Sequence, residues 1–406
     1  MIQKWITNKG FVYKYLEYMN NFATSTIIDF WSAIWILSSL SGRNVIIDRP
    51  NNPLYCNLFL NFIYKNDNLD RNLSINVMNR TLEKLNKDNL LLDKPVYIYE
   101  LINRMLNHQQ EKGNMNINFI IRDFSNSIYK NKFYDLINTL YYNPNERTYH
   151  EYTYTNKSTY NHYTSLCTSD TFDDYIKALE NGNYESGLPS KLYTIIETNN
   201  KTKPGWGVTT EESKELLEYG KRYVQKTNKE KRYILSTKAI RRYNQWYGKR
   251  RISDNGINKL FEIYEPELVL KLATILYIDD DNLDNEITEC YIENAINIIK
   301  YTKNQSIKEI NKLLNKAKRD DFDKIIIKIR RILIENQSTG VMHNKLFQNV
   351  KSLCNKEEFK YIISILHELE LIEMYMTKNG GYLYKITDTF YNKLDIRYIN
   401  KLLIKD

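Results

Sequence analysis

Apolar positions at Phe11, Tyr15, Tyr18 and Met19 recur at helical spacing and predict an N-terminal helix. Ile27, Ile28, Trp31, Ile34, Trp35 and Leu37 predict a second, denser helix, ended by Gly42 as its C-cap. Residues 44–48 then predict a short strand. Residues 53–63 predict a strand after a proline break, 64–72 a loop, and 73–85 an amphipathic helix with Ile75, Met78, Leu82 and Leu85 on one face. Residues 95–105 read as a strand running into a helix, 117–121 as a short buried strand, and 129–142 as the next helix. Tyrosines alternate with polar residues over 148–163 around Asn156 and Lys157, a hairpin pattern. A strand at 165–169, a helix at 172–180 and a strand at 192–196 complete a series in which strands alternate with helices. That series predicts an α/β sheet.

Residues 199–207 carry Pro204, Gly205 and Gly207 and read as a linker. Residues 209–302 read as all-helical, with helices at 211–226, 237–250, 266–277 and 287–300. Asp279, Asp280 and Asp281 join the last two without the glycine and glutamate offsets of a calcium loop. Residues 303–321 form a charged connector. Helices at 323–336, 342–350 and 357–370 then precede strands at 371–377 and 382–386, with Asn379 and Gly380 at the turn between them. Three helices and a hairpin predict a winged helix whose third helix can enter a major groove. Such domains also serve as protein contacts. The expected organisation is an N-terminal helical segment at 1–50, an α/β core at 51–205, a helical lid at 206–302, and a connector with winged helix at 303–406.

Composition and charge add to this picture. Hydrophobic residues make up 42% of the 406, including 34 Tyr, enough to bury several cores. The abundance of Tyr, Asn, Lys and Ile is the coding bias of an AT-rich genome such as a virus, phage or plasmid. No charge-free run approaches the roughly 18 apolar residues of a membrane span, and the N-terminus lacks the pattern of a secretory signal. Cys56, Cys167, Cys290 and Cys354 are far apart with no C-x-x-C, so reduced thiols in a cytoplasmic protein are expected, with no zinc site and no cofactor. Net charge is +9, yet residues 219–251 alone hold 12 basic residues against one acid, Glu230. The rest of the chain is slightly acidic, so one segment supplies the basicity, as expected of a polyanion-binding patch.

Several blocks, in order, resemble the phage- and plasmid-type primase-helicase ATPases of the AAA+ class. Residues 30–33 through 42–45 are similar to the family's N-terminal helix and strand, and 54–59 to the strand entering its phosphate loop. Residues 119–125 resemble its Walker B strand, 166–169 the strand with its polar sensor, and 187–192 the block with an arginine in active members. Residues 270–273 resemble a motif of its helical lid. The resemblance implies an AAA+/P-loop-like core with N-terminal helices, an all-α lid and a C-terminal winged helix. By resemblance it also implies a homo-oligomer.

The chain departs from that family at each chemical position. G-x-x-x-x-G-K-[ST] occurs nowhere, and no glycine lies between Pro53 and Leu85 to let backbone N–H groups approach phosphates. Arg71, Asn72 and Ser74 stand at the lysine-serine/threonine position. Arg122 and Asp123 stand at the acidic pair, and an arginine there puts positive charge where Mg²⁺ belongs. Lys191 replaces the arginine, as a point charge and not a planar fork. Thr168 or Ser169 alone suits the sensor role. The degenerate nucleotide site is therefore Arg71, Asn72, Ser74, Arg122, Asp123, Thr168 and Lys191, with no catalytic residue. Asp123 reads as a helix cap or a partner of Arg122.

The basic stretch supplies the expected nucleic-acid contacts: Lys221, Arg222, Lys231, Arg232, Lys238, Arg241, Arg242, Trp246, Lys249, Arg250 and Arg251. Tyr223, Tyr233, Tyr243 and Tyr247 are interleaved with them. In the winged helix Lys356, Lys360 and Lys378 face DNA, opposed by Glu357, Glu358, Glu368 and Glu370 on the third helix. Tyr149, Tyr152, Tyr154, Tyr160 and Tyr163 either stack on single-stranded bases or fill a β-surface. His150 and His162 flank that hairpin, exposed, with no third metal ligand. The expectation is a replication-associated DNA-binding pseudo-ATPase, a scaffold or loader that binds single-stranded or duplex DNA and an active ATPase or other replication protein. The alternatives are a winged-helix initiator or regulator, and a divergent active helicase using Lys65 or Arg71 on phosphate.

Overall fold

A computed structural model describes residues 2–22, 24–49, 52–65, 69–85, 89–94, 96–113, 115–127, 132–142, 148–149, 158–159, 162–181, 188–198, 213–253, 257–282, 284–378 and 380–392. Contacts divide the chain into two units, Met1–Glu309 and Ile310–Asp406.

The first unit opens with helices α1 (Phe11–Met19) and α2 (Thr26–Ser41), then strands β1 (Val45–Ile47), β2 (Leu54–Tyr55) and β3 (Phe59–Tyr64). Next come α3 (Leu69–Leu85), β4 (Leu90–Leu92), α4 (Ile98–Lys112), β5 (Met115–Arg122), α5 (Phe124–Ser127) and α6 (Lys132–Tyr142). β6 (Thr148–Tyr149), β7 (Ser158–Thr159), β8 (His162–Thr171), α7 (Phe172–Glu180) and β9 (Tyr193–Ile196) follow. The unit continues through α8 (Lys214–Thr227), β10 (Lys231–Leu235), α9 (Thr237–Gly248), α10 (Ile257–Glu262), α11 (Glu265–Asp279) and β11 (Glu286–Ile287). The unit boundary falls inside α12 (Glu289–Glu335).

A five-stranded parallel sheet in the order β4-β5-β8-β3-β9 forms the core, flanked by helices. Its strands are buried runs with little alternation, as expected where helices cover both faces. The chain's first core strand, β3, is interior, and β8 separates it from β5. Register aligns Asn61 with Thr168 and Thr168 with Ile121, so the C-terminal ends of β3, β5 and β8 lie at one edge. Ligands of open α/β sheets bind at such an edge.

Every residue of α2 from Ile27 to Ser41 is buried, so this is a central helix and not an amphipathic surface one. Some of its polar groups are spent inside the core, while the Ser32, Trp35 and Ser39 side chains have no hydrogen-bond partner among the described residues. Trp31 Nε1 donates to Thr302 at 3.0 Å, Ser38 donates to the Cys56 carbonyl at 2.9 Å, and Asp29 accepts from Thr24 at 2.8 Å. Gly42 ends the helix at φ +53°, where a Cβ would meet the Asn116 side chain at 2.8 Å.

A second sheet, β11-β10-β1-β2, pairs β10 in parallel with β1 and β11. This corrects the all-α lid. Residues 231–235 form a strand because Tyr233 packs inward while Arg232 and Ile234 face out, a period of two that the charge run had obscured. The same strand joins the expected lid to the N-terminal segment, register Val45 to Lys231. The connector expected at 303–321 is likewise part of α12, a continuous 47-residue helix with neither proline nor glycine to break it.

Two strands expected at other places also moved. The strand after α3 is the run Leu90–Leu92, before Pro95, and residues 53–63 are split into β2 and β3 at Cys56–Leu58. The tyrosine hairpin survives as the pair Thr148↔Thr159 and Tyr149↔Ser158. His150, Tyr152, Tyr154, Tyr160 and the turn at 156–157 lie outside the described residues.

In the second unit the end of α12 is followed by β12 (Val341–Met342), α13 (His343–Val350), α14 (Lys356–Glu368), β13 (Ile372–Met376), β14 (Tyr382–Ile386) and α15 (Asp388–Asn392). β12, β14 and β13 make a small antiparallel sheet. Its core is Ile326, Ile329, Leu333, Leu346, Phe359, Leu366, Ile372 and Phe390. Among the described residues no helix is long and apolar enough to cross a membrane.

Candidate functional site

At the carboxyl edge of the large sheet, several polar groups are engaged internally, while the buried Ser169 hydroxyl has no hydrogen-bond partner among the described residues. β3 ends at Tyr64 and α3 begins at Leu69, leaving only residues 65–68 between them. A phosphate loop of the G-x-x-x-x-G-K-[ST] type needs a longer stretch. The Lys65 backbone N–H donates to the Glu197 carboxylate at 2.9 Å, and Lys65 Nζ lies 2.8 Å from the carboxylate of Glu309. Two donors of Lys65, its backbone N–H and its ammonium, thus face internal anions. Glu197 follows β9 and is itself anchored through its backbone N–H to the Ile63 carbonyl at 2.8 Å.

The neighbouring strand ends repeat the pattern. Arg122 donates to Asn76 of α3 at 2.6 Å. Asp123 is exposed at φ +52°, the left-handed region that Asp tolerates better than most residues. Thr168 donates to Asn61 Oδ1 at 2.8 Å and is fully buried. Asp170, on the same strand, accepts from the Ser125 backbone N–H at 2.7 Å and so caps α5. Ser74 is buried on α3. The side chains of Arg71 and Asn72 lie outside the described residues.

Lys191 does not join this edge. It precedes β9, whose first residue pairs with Leu60, so it stands toward the amino ends of the strands. Its ammonium is buried and donates to the side-chain and backbone carbonyls of Asn138. Burial pushes its pKa down to about 7. Lys271 is a second buried lysine, with Nζ 2.7 Å from the Asn57 carbonyl and 3.0 Å from its side-chain oxygen. Burial is again the cause of its lowered pKa, about 8.

The basic residues are distributed over three elements. Lys221 and Arg222 are exposed on α8, with the Arg222 guanidinium over the Tyr219 ring at 5.1 Å. Lys231 and Arg232 are on β10, where Arg232 pairs with Asp48 at 3.4 Å. The remainder belong to α9 and the turn after it. On a helix, Lys238, Arg241, Arg242, Gln245 and Lys249 share one stripe. Arg242 is 3.7 Å from Glu293, and Arg250 is 3.4 Å from Glu265. Lys238, Arg241, Lys249 and Arg251 are exposed and make no ion pair among the described residues.

The aromatic residues of the stretch divide in two. Tyr223 and Tyr233 are core residues: the Tyr223 hydroxyl lies 2.8 Å from that of Ser41, and Tyr233 packs on Tyr277. Tyr243, Trp246 and Tyr247 form an aromatic cluster on α9, with Arg250 over Trp246 at 5.2 Å and over Tyr247 at 5.8 Å. Two further expectations are corrected. Tyr163 is buried, with its hydroxyl on the Ser38 carbonyl, so it stacks on no base. His162 is fully buried at the start of β8 and not on an exposed hairpin, because β8 begins earlier than expected.

In the second unit, Lys356, Lys360 and Lys378 are exposed. Glu358 closes a capping box with Asn355 at the start of α14, and Glu357 pairs with Lys360 at 3.1 Å. The hairpin exposes Met374, Tyr375, Met376 and Tyr382.

Sequence reasoning missed Asn61, Asp170, Glu197 and Glu309, the groups that occupy the sheet-edge donors or orient its loops. Asp170 directly follows the sensor-like Thr168 and Ser169 and could have been read from that block. Glu309 carries no local signal. Among the described residues no cluster of His, Cys, Asp and Glu could hold a metal. A scan against protein-family models finds no match to this chain, and a search of curated proteins finds no similar sequence.

Proposed function

We propose that this chain is a DNA-binding, replication-associated pseudo-ATPase with a degenerate AAA+-like core and a C-terminal winged helix, acting as a scaffold or loader. The order β4-β5-β8-β3-β9 supports the core assignment, because it gathers the phosphate-loop, acid and sensor strands at one edge. The internal use of that edge supports loss of chemistry. Lys65 is held by Glu309, its N–H by Glu197, and Thr168 by Asn61. Phosphoryl transfer depends on positioned cations and donors free to meet the phosphates. Lys65, one candidate phosphate contact of a divergent active enzyme, is thereby engaged elsewhere.

The observation that carries the DNA-binding reading is the exposed stripe of α9, with Lys238, Arg241 and Lys249 left without ion pairs among the described residues. Cations in that state release counterions when phosphates arrive, so affinity falls steeply with salt. The helix–strand–helix–helix–hairpin order of the second unit supports the winged helix. Its exposed Met374, Tyr375 and Met376, beside the acid-bearing α14, favour contact with a partner protein over reading of a duplex. The test is DNA binding by the full chain over a range of salt, beside Mg²⁺–ATP binding and turnover. Steep salt dependence without turnover is expected. Absence of DNA binding at low salt overturns the reading.

A further inference from the structure

A groove of about 510 Å³ opens between the C-terminal half of α9 with the residues after it and the α12 segment from Ile296 to Asn304, with Glu262 and Glu265 of α10 and α11 on its wall. Six cations and two carboxylates line it. The carboxylates neutralise the inner wall. Glu265 lies 2.9 Å from Lys303 and 3.4 Å from Arg250, Glu262 lies 3.5 Å from Lys303, and the Glu262 carbonyl accepts from Arg250. Those pairs fix Arg250 against the ring of Trp246, which itself lines the groove. Lys249, Arg251 and Lys300 remain at the groove, exposed and without ion pairs among the described residues. Asn297 and Asn304 add neutral hydrogen-bonding groups.

Shape decides which polyanion fits. Duplex recognition uses a convex element that enters a groove about 12 Å wide. Here the cations line a concavity whose volume lies in the small-ligand range of about 300–1,000 Å³, the scale of nucleotides in single file. A cationic groove with an aromatic side chain is also the combination that tracks a single strand, with cations on phosphates and a ring against a base.

We propose that this groove holds single-stranded nucleic acid, with Lys249, Arg251 and Lys300 on successive phosphates and Trp246 against a base. The inference rests on the DNA-binding reading above and narrows it to a strand type and a site. The test is fluorescence anisotropy of the full chain with a labelled oligothymidine and with a mixed-sequence duplex of equal length, at several salt concentrations. The wild type binds the single strand more tightly. Lys249→Ala with Lys300→Ala weakens single-strand binding about tenfold near 0.1 M salt and lowers the log–log salt slope by about 1.4, the share of two phosphate contacts. Lys221→Ala with Arg222→Ala, on α8, lowers the affinity less.

Trp246→Ala weakens binding with the slope unchanged, and Trp246→Phe retains most of the affinity. Unaltered melting temperatures exclude misfolding, and both lysines are exposed, so the double variant remains informative if Trp246→Ala unfolds. Tighter binding to the duplex, or an unchanged slope in the double variant that still binds, overturns this inference and leaves the DNA-binding reading standing. No binding of either nucleic acid by the wild type at low salt overturns both.

Discussion

The carboxyl edge of the large sheet and the stripe of α9 hold similar side chains in opposite circumstances. At the edge, Lys65 meets Glu309 and Glu197, Arg122 meets Asn76, and Thr168 meets Asn61. On α9, Lys238, Arg241 and Lys249 meet solvent. A charged group with an internal partner has little left to offer a ligand. Displacing that partner costs the interaction and leaves another group unsatisfied. A solvated cation gives up only screened counterions. Function therefore follows from which polar groups the fold leaves unused, more than from which residue types are present.

The largest expected effect sharpens that contrast. Charge reversal of the stripe, Lys238→Glu with Arg241→Glu and Lys249→Glu, reduces DNA affinity about 10²-fold or more near 0.1 M salt. It leaves the melting temperature close to wild type, because these side chains support no packing. Equal loss of affinity and stability would break the contrast. At the sheet edge the signs are exchanged. Thr168→Val leaves the buried Asn61 oxygen without this donor and destabilises the unit by about 1–3 kcal/mol in denaturant titration, with DNA affinity unchanged.

A pH-dependent effect on stability comes from Lys191. Its pKa of about 7 in the fold lies below its ordinary value of 10.5. The unfolded chain therefore binds the proton more readily between those values. Stability from this group is fully present above 10.5 and is lost as pH falls through 7. Wild type gains stability relative to Lys191→Met as pH rises from 7 to 10, measured by paired thermal melts. A constant difference across that range would contradict the burial argument. The smallest effect belongs to the second unit. Lys356→Ala with Lys360→Ala and Lys378→Ala changes DNA affinity by less than about twofold, whereas three lost phosphate contacts would change it far more.

How much of this was legible in the sequence depended on the range of the interactions involved. Local signals carried well. Residues 172–180 and 237–248 are helices close to their expected limits. The three helices and the hairpin around Gly380 occur in their expected order. Capping, periodicity and turn chemistry act over a few residues and are written there. β10 was hidden because Lys and Arg dominate 229–232, and only the distant strand β1 reveals its pairing. α12 ran through the expected connector because charge alone does not stop a helix.

The site was legible as a set of departures, since missing glycines and a misplaced arginine are local facts. Its replacement was not legible. Glu197 and Glu309 reach Lys65 from 132 and 244 positions away along the chain. Tyr163 and His162 were misplaced for a related reason: a tyrosine-rich alternation looks the same on an exposed hairpin and on a buried strand until a helix such as α2 covers it.

Hydrogen–deuterium exchange on the full chain, with Mg²⁺–ATP and with a single-stranded oligonucleotide added in turn, compares the two regions in one measurement. The account predicts oligonucleotide-dependent protection over residues 236–251 and 296–304, and no nucleotide-dependent change over 59–65, 119–125 and 166–171. Protection of the sheet edge by Mg²⁺–ATP, with the α9 segment unaffected by the oligonucleotide, would contradict it.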